Sequence, residues 1–528
     1  MRAVRATREH LLRLHRVLNY FLGAVNVFRA KAAGYAHLLK KYRVGAPALL
    51  HTSWIDEVSQ RRSVSMGLGI EETFPISYDP GDEDIDHLVF ALKYDGVDLA
   101  VLARLFRRID RGQLGLRIET QPTSKYIRRL FFLFERLTGE TLAISDLSKG
   151  KYIPVLDPDE HFVAAGRPVA RHRVVDNLLG DAGFCPVVRR TPQLVSASRK
   201  DLGRRAREIT GGVDPLLLTR AISFLYTKET KSSFAIEREE IEVGDRMERF
   251  LAQLAAAGER PLVSESALTE LQRSFVDPRY AEEGFRRAGA REVYVGETLG
   301  FHEKIHHVGA RSAITPELMA AWARMRSVEG PGGAVVEAAC RSFSFVFIHP
   351  FGDGNGRIHR LLLHNVLALR AYLPPRLVVP ISAVLLADPG GYDRALESFS
   401  RRVLPLVDYK LDADGELKIR NDTDDLYRYP ELTAVCEATF EWLERAIERD
   451  LVAELDFLRR FDEVRARMRE VVEMPDRKEQ NFIRICLANG GKLAARKRAQ
   501  FMELDDATIA ALEVIVRDAM EGSVGDPA

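Results

Sequence analysis

The chain has 528 residues, 46% hydrophobic and 29% charged, and its 77 Lys and Arg nearly cancel its 76 Asp and Glu to leave a net charge of +1. That composition excludes a disordered polyelectrolyte, and the balance gives no global reason to expect a nucleic-acid or membrane partner. A chain this long is expected to divide into several domains.

The first 28 residues, MRAVRATREHLLRLHRVLNYFLGAVNVF, are Arg-rich and amphipathic. They lack the uninterrupted apolar core of a secretory signal, so a first helix of the folded protein is expected rather than a transit peptide. Residues 86–109 read as two short helices about Asp95-Gly96. A further helix over Tyr126–Leu137 follows Thr123-Ser124 and stops at Gly139. Residues 1–200 are taken as a mostly helical N-terminal region. No stretch reaches ~18 uninterrupted apolar residues, so no membrane span is expected. Four widely spaced cysteines, Cys185, Cys340, Cys436 and Cys486, suit reduced buried thiols and a cytoplasmic location.

Helical periodicity resumes over 201–410 with one interruption. Residues 291–311 hold Val293, Tyr294 and Val295 among glycines, which suits a β-hairpin. Thr315 is the expected N-cap of a helix opened by Pro316. The polar stretch 412–425 reads as a linker, and 426–528 as a C-terminal module, helical or winged-helix-like.

The segment His349–Arg360, HPFGDGNGRIHR, carries the chemistry. Pro350 should end the preceding helix near His349. Gly352, Gly354 and Gly356 alternate with Asp353 and Asn355, and a second amphipathic helix follows. This order places the N–H groups of residues 354–357 at a helix N-terminus, an anion site. Asn355 tolerates left-handed backbone and offers an amide donor. Arg357 and Arg360 share a helix face and suit two phosphates. Asp353 is the acid suited to Mg²⁺, and His349 the group suited to accept a proton near neutrality.

These residues resemble the Fic (Fido) signature HxFxxGNGRxxR at every fixed position. The resemblance implies a mostly α fold, a helical core with a β-hairpin flap at 293–311, and protein adenylyltransferase activity. Mg-ATP would donate AMP to a Ser, Thr or Tyr hydroxyl of a target protein docked on the flap, self-modification included. His349 would be the base, Asp353 the Mg²⁺ ligand and Phe351 the loop's anchor. Gly354, Asn355 and Gly356 would cradle phosphate, with Arg357 on the β- and Arg360 on the γ-phosphate. Tyr392 resembles a tyrosine found near adenine. Ser233 and Glu237 fit the family's inhibitory helix, expected near 228–242, in which Glu237 would pair with Arg360. Arg238 departs from the Gly or Asn usual after that glutamate.

Alternatives on the same residues are removal of AMP, transfer of another phosphate-containing group, or a nucleotide-sensing regulator binding DNA through the C-terminal module. HEKIH (His302–His306) fits the zinc motif HExxH, which needs a helix, whereas this segment reads as hairpin. Arg496–Arg498 reads as a solvated basic run, with DNA contact as its sharper meaning; nucleic acid is a conceivable partner without further support.

Overall fold

The computed structural model describes residues 30–66, 69–239, 244–299, 302–412 and 414–521. The amphipathic stretch expected as a first helix lies outside them. The chain forms two compact units that interleave along the sequence. The first takes Met1–Lys200, Ala256–Arg370 and Asp388–Phe440; the second takes Asp201–Ala255, Ala371–Ala387 and Glu441–Ala528. Neither coincides with the sequential segments 1–200, 201–410 and 426–528.

The first unit is mostly helical with small sheets. Its N-terminal part holds a four-stranded sheet in the order Lys31–Ala33, His51–Asp56, Gly69–Pro75, Arg62–Met66. A cluster of short helices packs nearby. Helix Lys125–Thr138 buries Ile127, Leu130, Phe131 and Phe134 at 3-and-4 spacing. It ends on Gly139, whose φ of 73° closes it as an αL cap. The segment after Gly96 behaves as expected: Leu99–Phe106 is a helix, capped by Asp98, whose carboxylate accepts from the Val101 N–H at 3.1 Å.

The centre of this unit is helix Gly333–Ile348, all of whose residues are buried. Most of its side chains are apolar, and its few polar ones are paired in the core: Arg341 lies 3.4 Å from Glu337, and Ser344 accepts from the Trp322 indole at 3.0 Å. The helix pairs with helix Asn355–Leu369 through a six-residue connection, His349–Gly354. Strands Tyr294–Leu299 and His302–Val308 form the expected antiparallel hairpin, irregular at Val295/Gly296. Two local expectations are corrected. Thr315 is already helical and caps nothing; its hydroxyl donates back to the Arg311 carbonyl at 2.9 Å. Residues 412–425 are not a plain linker, because Leu417–Ile419 pairs with Tyr409–Leu411 in a second small hairpin.

The second unit is built on helix Pro215–Ile236, which packs with Asp245–Ala255, Ile381–Ala387 and Val452–Val471. Its buried Glu229 accepts from the backbone N–H and hydroxyl of Ser382, at 2.7 and 2.5 Å. Helices Asp476–Leu487 and Asp506–Glu521 close a smaller core around Met468, Phe482, Phe501 and Leu512. No strand follows Ile419 among the described residues, so the module is helical and lacks a wing.

Candidate active site

His349 is the C-cap of the central helix. Its backbone sits in the left-handed region (φ 57°, ψ 61°), and its N–H still reaches the Phe345 carbonyl at 2.9 Å. This is how the chain turns sharply into Pro350. Nδ1 lies 3.0 Å from the Val346 carbonyl. A carbonyl can only accept, so Nδ1 carries the hydrogen and Nε2 keeps its lone pair. Burial first, then the neighbouring His307 ring and Arg286, hold the imidazole well below its ordinary value, so it is neutral at pH 7.

Arg286 clamps the loop's head. Its side chain is almost wholly buried. Nε donates to the His349 carbonyl at 2.9 Å, one terminal nitrogen donates to the Ala310 carbonyl at 2.7 Å, and the other pairs with Glu292 at 3.2 Å. Its own N–H reaches the Pro350 carbonyl at 2.9 Å. One guanidinium thus joins the end of the hairpin to the head of the loop. The charged stretch 282–292 gave no sign of this role.

Phe351 is fully buried against Phe285 and Phe345, ring centroids 5.3 and 6.4 Å away, and anchors the loop as expected. Asn355 is corrected. It is helical rather than left-handed, and its side-chain amide turns inward, accepting from the Phe351 N–H at 3.1 Å and donating to the Phe351 carbonyl at 2.8 Å. The side chain staples the loop with its oxygen and one of its two amide hydrogens. The left-handed residue is Gly354 (φ 87°), where an added Cβ would lie 2.8 Å from Val276 Cγ2. Glu282, also missed, accepts from the Gly352 N–H at 2.5 Å; burial and the Asp353 charge raise its carboxyl, while the loop's N–H groups oppose them.

Helix Asn355–Leu369 begins directly after Gly354, so the first-turn N–H groups of Asn355, Gly356 and Arg357 face the loop's end. Gly354 itself donates to Asp353 Oδ1 at 2.6 Å. Arg357 and Arg360 are both buried on this helix, and Arg357 lies over the Phe275 ring at 5.2 Å. Asp353 is half-exposed, with Oδ1 3.6 Å from Arg357. An accessible carboxylate at a helix N-terminus fits Mg²⁺ that arrives with phosphates, since this ion keeps waters and takes few protein ligands.

Tyr392 lies in the first turn of helix Pro389–Val403, nearly buried. Its hydroxyl is 2.9 Å from Nε2 of His359, whose Nδ1 is 2.7 Å from the Ser342 hydroxyl. Ser342 also donates to the His359 carbonyl at 2.8 Å. Burial, then Arg360, keep His359 neutral, and the direction Tyr392 to Nε2, Nδ1 to Ser342 satisfies every group. His359 stands inside the motif, between the two arginines, and could have been singled out there.

The hairpin borders a cleft of about 380 Å³ lined by His349, Val295, Lys304, Asp393 and Ser400 among others. Beneath it His307 is buried, its Nε2 2.9 Å from the Phe347 carbonyl and Nδ1 3.0 Å from the Ser400 hydroxyl. HEKIH is part of a strand. At a rise of ~3.3 Å per residue, positions 302 and 306 stand roughly 13 Å apart, too far to share one metal ion.

Ser233 and Glu237 belong to the second unit. Ser233 is buried in the last turn of helix Pro215–Ile236 and Glu237 is its exposed C-cap. Arg238 takes φ 56°, and the Glu239 N–H returns to the Phe234 carbonyl at 3.3 Å. The position therefore asks for left-handed backbone, the reason Gly or Asn suits it, and arginine has kept the turn. Residues 240–242, the end of the expected inhibitory segment, lie outside the described residues.

The Fic/DOC family model matches residues 262–367, which span the hairpin, the central helix and the loop. A Fic family protein from Desulfovibrio desulfuricans G20 is similar at 20% identity, covering 63% of this chain and 90% of its own, with a TM-score of 0.33. A Fic domain containing signaling protein from Bacteroides thetaiotaomicron VPI-5482 is similar at 18% identity, covering 50% and 97%, with a TM-score of 0.34. Likeness this loose carries no argument about function. No curated protein matches the chain. With the family's fixed positions gathered on one loop between two buried helices, residues 262–367 are a Fic/DOC domain, of a family that typically transfers phosphate-containing groups such as AMP.

Proposed function

We propose that this domain is a protein adenylyltransferase, moving AMP from Mg-ATP to a Ser, Thr or Tyr hydroxyl of a target protein. The observation that carries the reading is the placing of His349: a neutral imidazole with a free Nε2 lone pair, bordering the cleft under the hairpin, at the head of a loop that ends on a helix N-terminus. The target hydroxyl would give its proton to Nε2 as its oxygen bonds to the α-phosphorus, and pyrophosphate would leave. The Asn355, Gly356 and Arg357 N–H groups and two buried guanidiniums suit the triphosphate. Asp353 would hold Mg²⁺, which when bound neutralises phosphate charge. The phosphates' negative charge would also lift His349 from its low value toward that of a working base.

Glu237 would act as the inhibitory glutamate competing for Arg360. That part rests on the Ser233–Glu237 spacing and on the retained left-handed turn at Arg238. The test is labelling from ATP carrying the label at the α- or the γ-phosphate, with the protein products weighed. A gain of one AMP from α-label only supports the reading. Loss of AMP from a modified protein, or transfer of a different group, moves the reaction to one of its relatives on the same loop.

A further inference from the structure

The charges of the C-terminal module are segregated. Residues 476–500 hold seven Lys and Arg and two acids, Asp476 and Glu479, whereas 501–521 hold six acids and one Arg. Asp476 pairs with Arg465 and Arg469 at 2.9 and 2.6 Å. Glu479 is fully buried and paired with Arg465 and Arg469 at 2.7 and 2.9 Å, so it does not offset the outward face.

Helix Asp476–Leu487 splits cleanly. Glu479, Phe482, Ile483 and Cys486 are buried at 3-and-4 spacing. The opposite row, Arg477, Gln480, Asn481 and Arg484, lines an open cleft of about 580 Å³ together with Lys478, Gln500 and Phe501. The lining is organised: Asn481 donates to Gln500 at 2.8 Å and accepts from Arg484 at 2.9 Å. Among the described residues no carboxylate pairs with Arg477, Arg484, Lys492, Arg496 or Lys497. Arg498, from the run first read as solvated, instead turns inward to the Phe501 and Leu504 carbonyls at 2.5 and 2.7 Å. The basic face is thus the exposed row of the helix, not the Arg496–Arg498 run as such.

We propose that this face binds duplex DNA, with helix Asp476–Leu487 entering the major groove and the cations of 492–497 meeting flanking phosphates. Arginine, asparagine and glutamine are the side chains that pair bidentately with purine edges, and a B-form major groove admits a helix whereas that of A-form RNA does not. The proposal goes beyond group transfer and stands apart from it, since no residue of the face belongs to 262–367.

The experiment uses the full chain and a fluorescein-labelled mixed-sequence duplex of about 20 base pairs, titrated across a range of KCl concentrations. Binding should weaken steeply with salt. In Arg477→Ala/Arg484→Ala, both exposed positions, affinity at low salt should fall at least about tenfold and the log–log salt slope should flatten by about two. Arg477→Gln/Arg484→Gln, which keeps polar side chains of similar reach, should behave alike. Absence of binding at low salt, unchanged binding in both variants, equal binding of a single strand, or capture of phosphatidylserine vesicles without the duplex would each overturn the proposal. AMP labelling by the same variants should equal wild type, so this failure is distinguishable from failure of the transferase reading.

Discussion

Arg286 Nε donates to the His349 carbonyl at 2.9 Å, from a residue 63 positions earlier in the chain. The bond fixes the backbone of the base while leaving its ring in the cleft. Arg286→Ala removes the side-chain donors to the His349 and Ala310 carbonyls and leaves Glu292 only its bonds from Ser312. It should destabilise the protein by about 3–5 kcal/mol, read by chemical denaturation. Where the variant still folds, labelling should drop as well; a loss within about 1 kcal/mol would contradict the clamp.

Acid should weaken the fold through its buried histidines. Burial lowers His307, His161 and His87 each to about 4, and His349 in the same direction. Between these values and the ordinary ~6.5, the unfolded chain binds more protons than the folded one. Stability is therefore full above pH 6.5 and is lost as pH falls toward 4, by at most about 1.4 kcal/mol per pH unit for each group. Thermal midpoints between pH 7.5 and 5 should decline, and less steeply in His307→Asn. A flat profile would count against neutral, buried rings.

Gly354→Ala meets both a positive φ and Val276. A cost of about 1–3 kcal/mol is expected, with weaker nucleotide binding, because the first turn of helix Asn355–Leu369 must shift. Titration calorimetry with Mg-ATP gives the second quantity. Unaltered stability would mean that the loop tolerates a β-carbon the geometry excludes.

Arg238→Gly should stabilise by about 0.5–1 kcal/mol, since glycine adopts the left-handed cap without strain and gives back part of the gain as chain entropy. Urea midpoints measure this. Destabilisation would show that the arginine side chain contributes more than its backbone costs.

The loop and its flanking helices were legible because each feature has a local cause. Pro350 ends one helix, Gly354 permits the next to start, and the valines and glycines of 293–311 favour a hairpin. Gly139 marks a helix end on its own. What stayed hidden is set by distant partners. Strand Arg62–Met66 is exposed throughout, so it shows no buried face to read, and its sheet was not expected. Arg286 and Glu282 look like surface charges until the fold brings His349 and Gly352 to them. The sequence shows Asn355 as an amide donor, but not that its oxygen and one N–H close on the Phe351 backbone four residues back. The interleaving of the two units is likewise invisible to composition.

The central claim is that His349 accepts the proton of the attacked hydroxyl. The most direct measurement is transfer of α-phosphate label from ATP to protein in lysate, comparing Glu237→Gly with Glu237→Gly/His349→Ala. Glu237→Gly should label above wild type. Removing His349 from that background should cut labelling by about 10²–10⁴-fold while Mg-ATP binding is retained. Undiminished labelling without His349 would contradict the account.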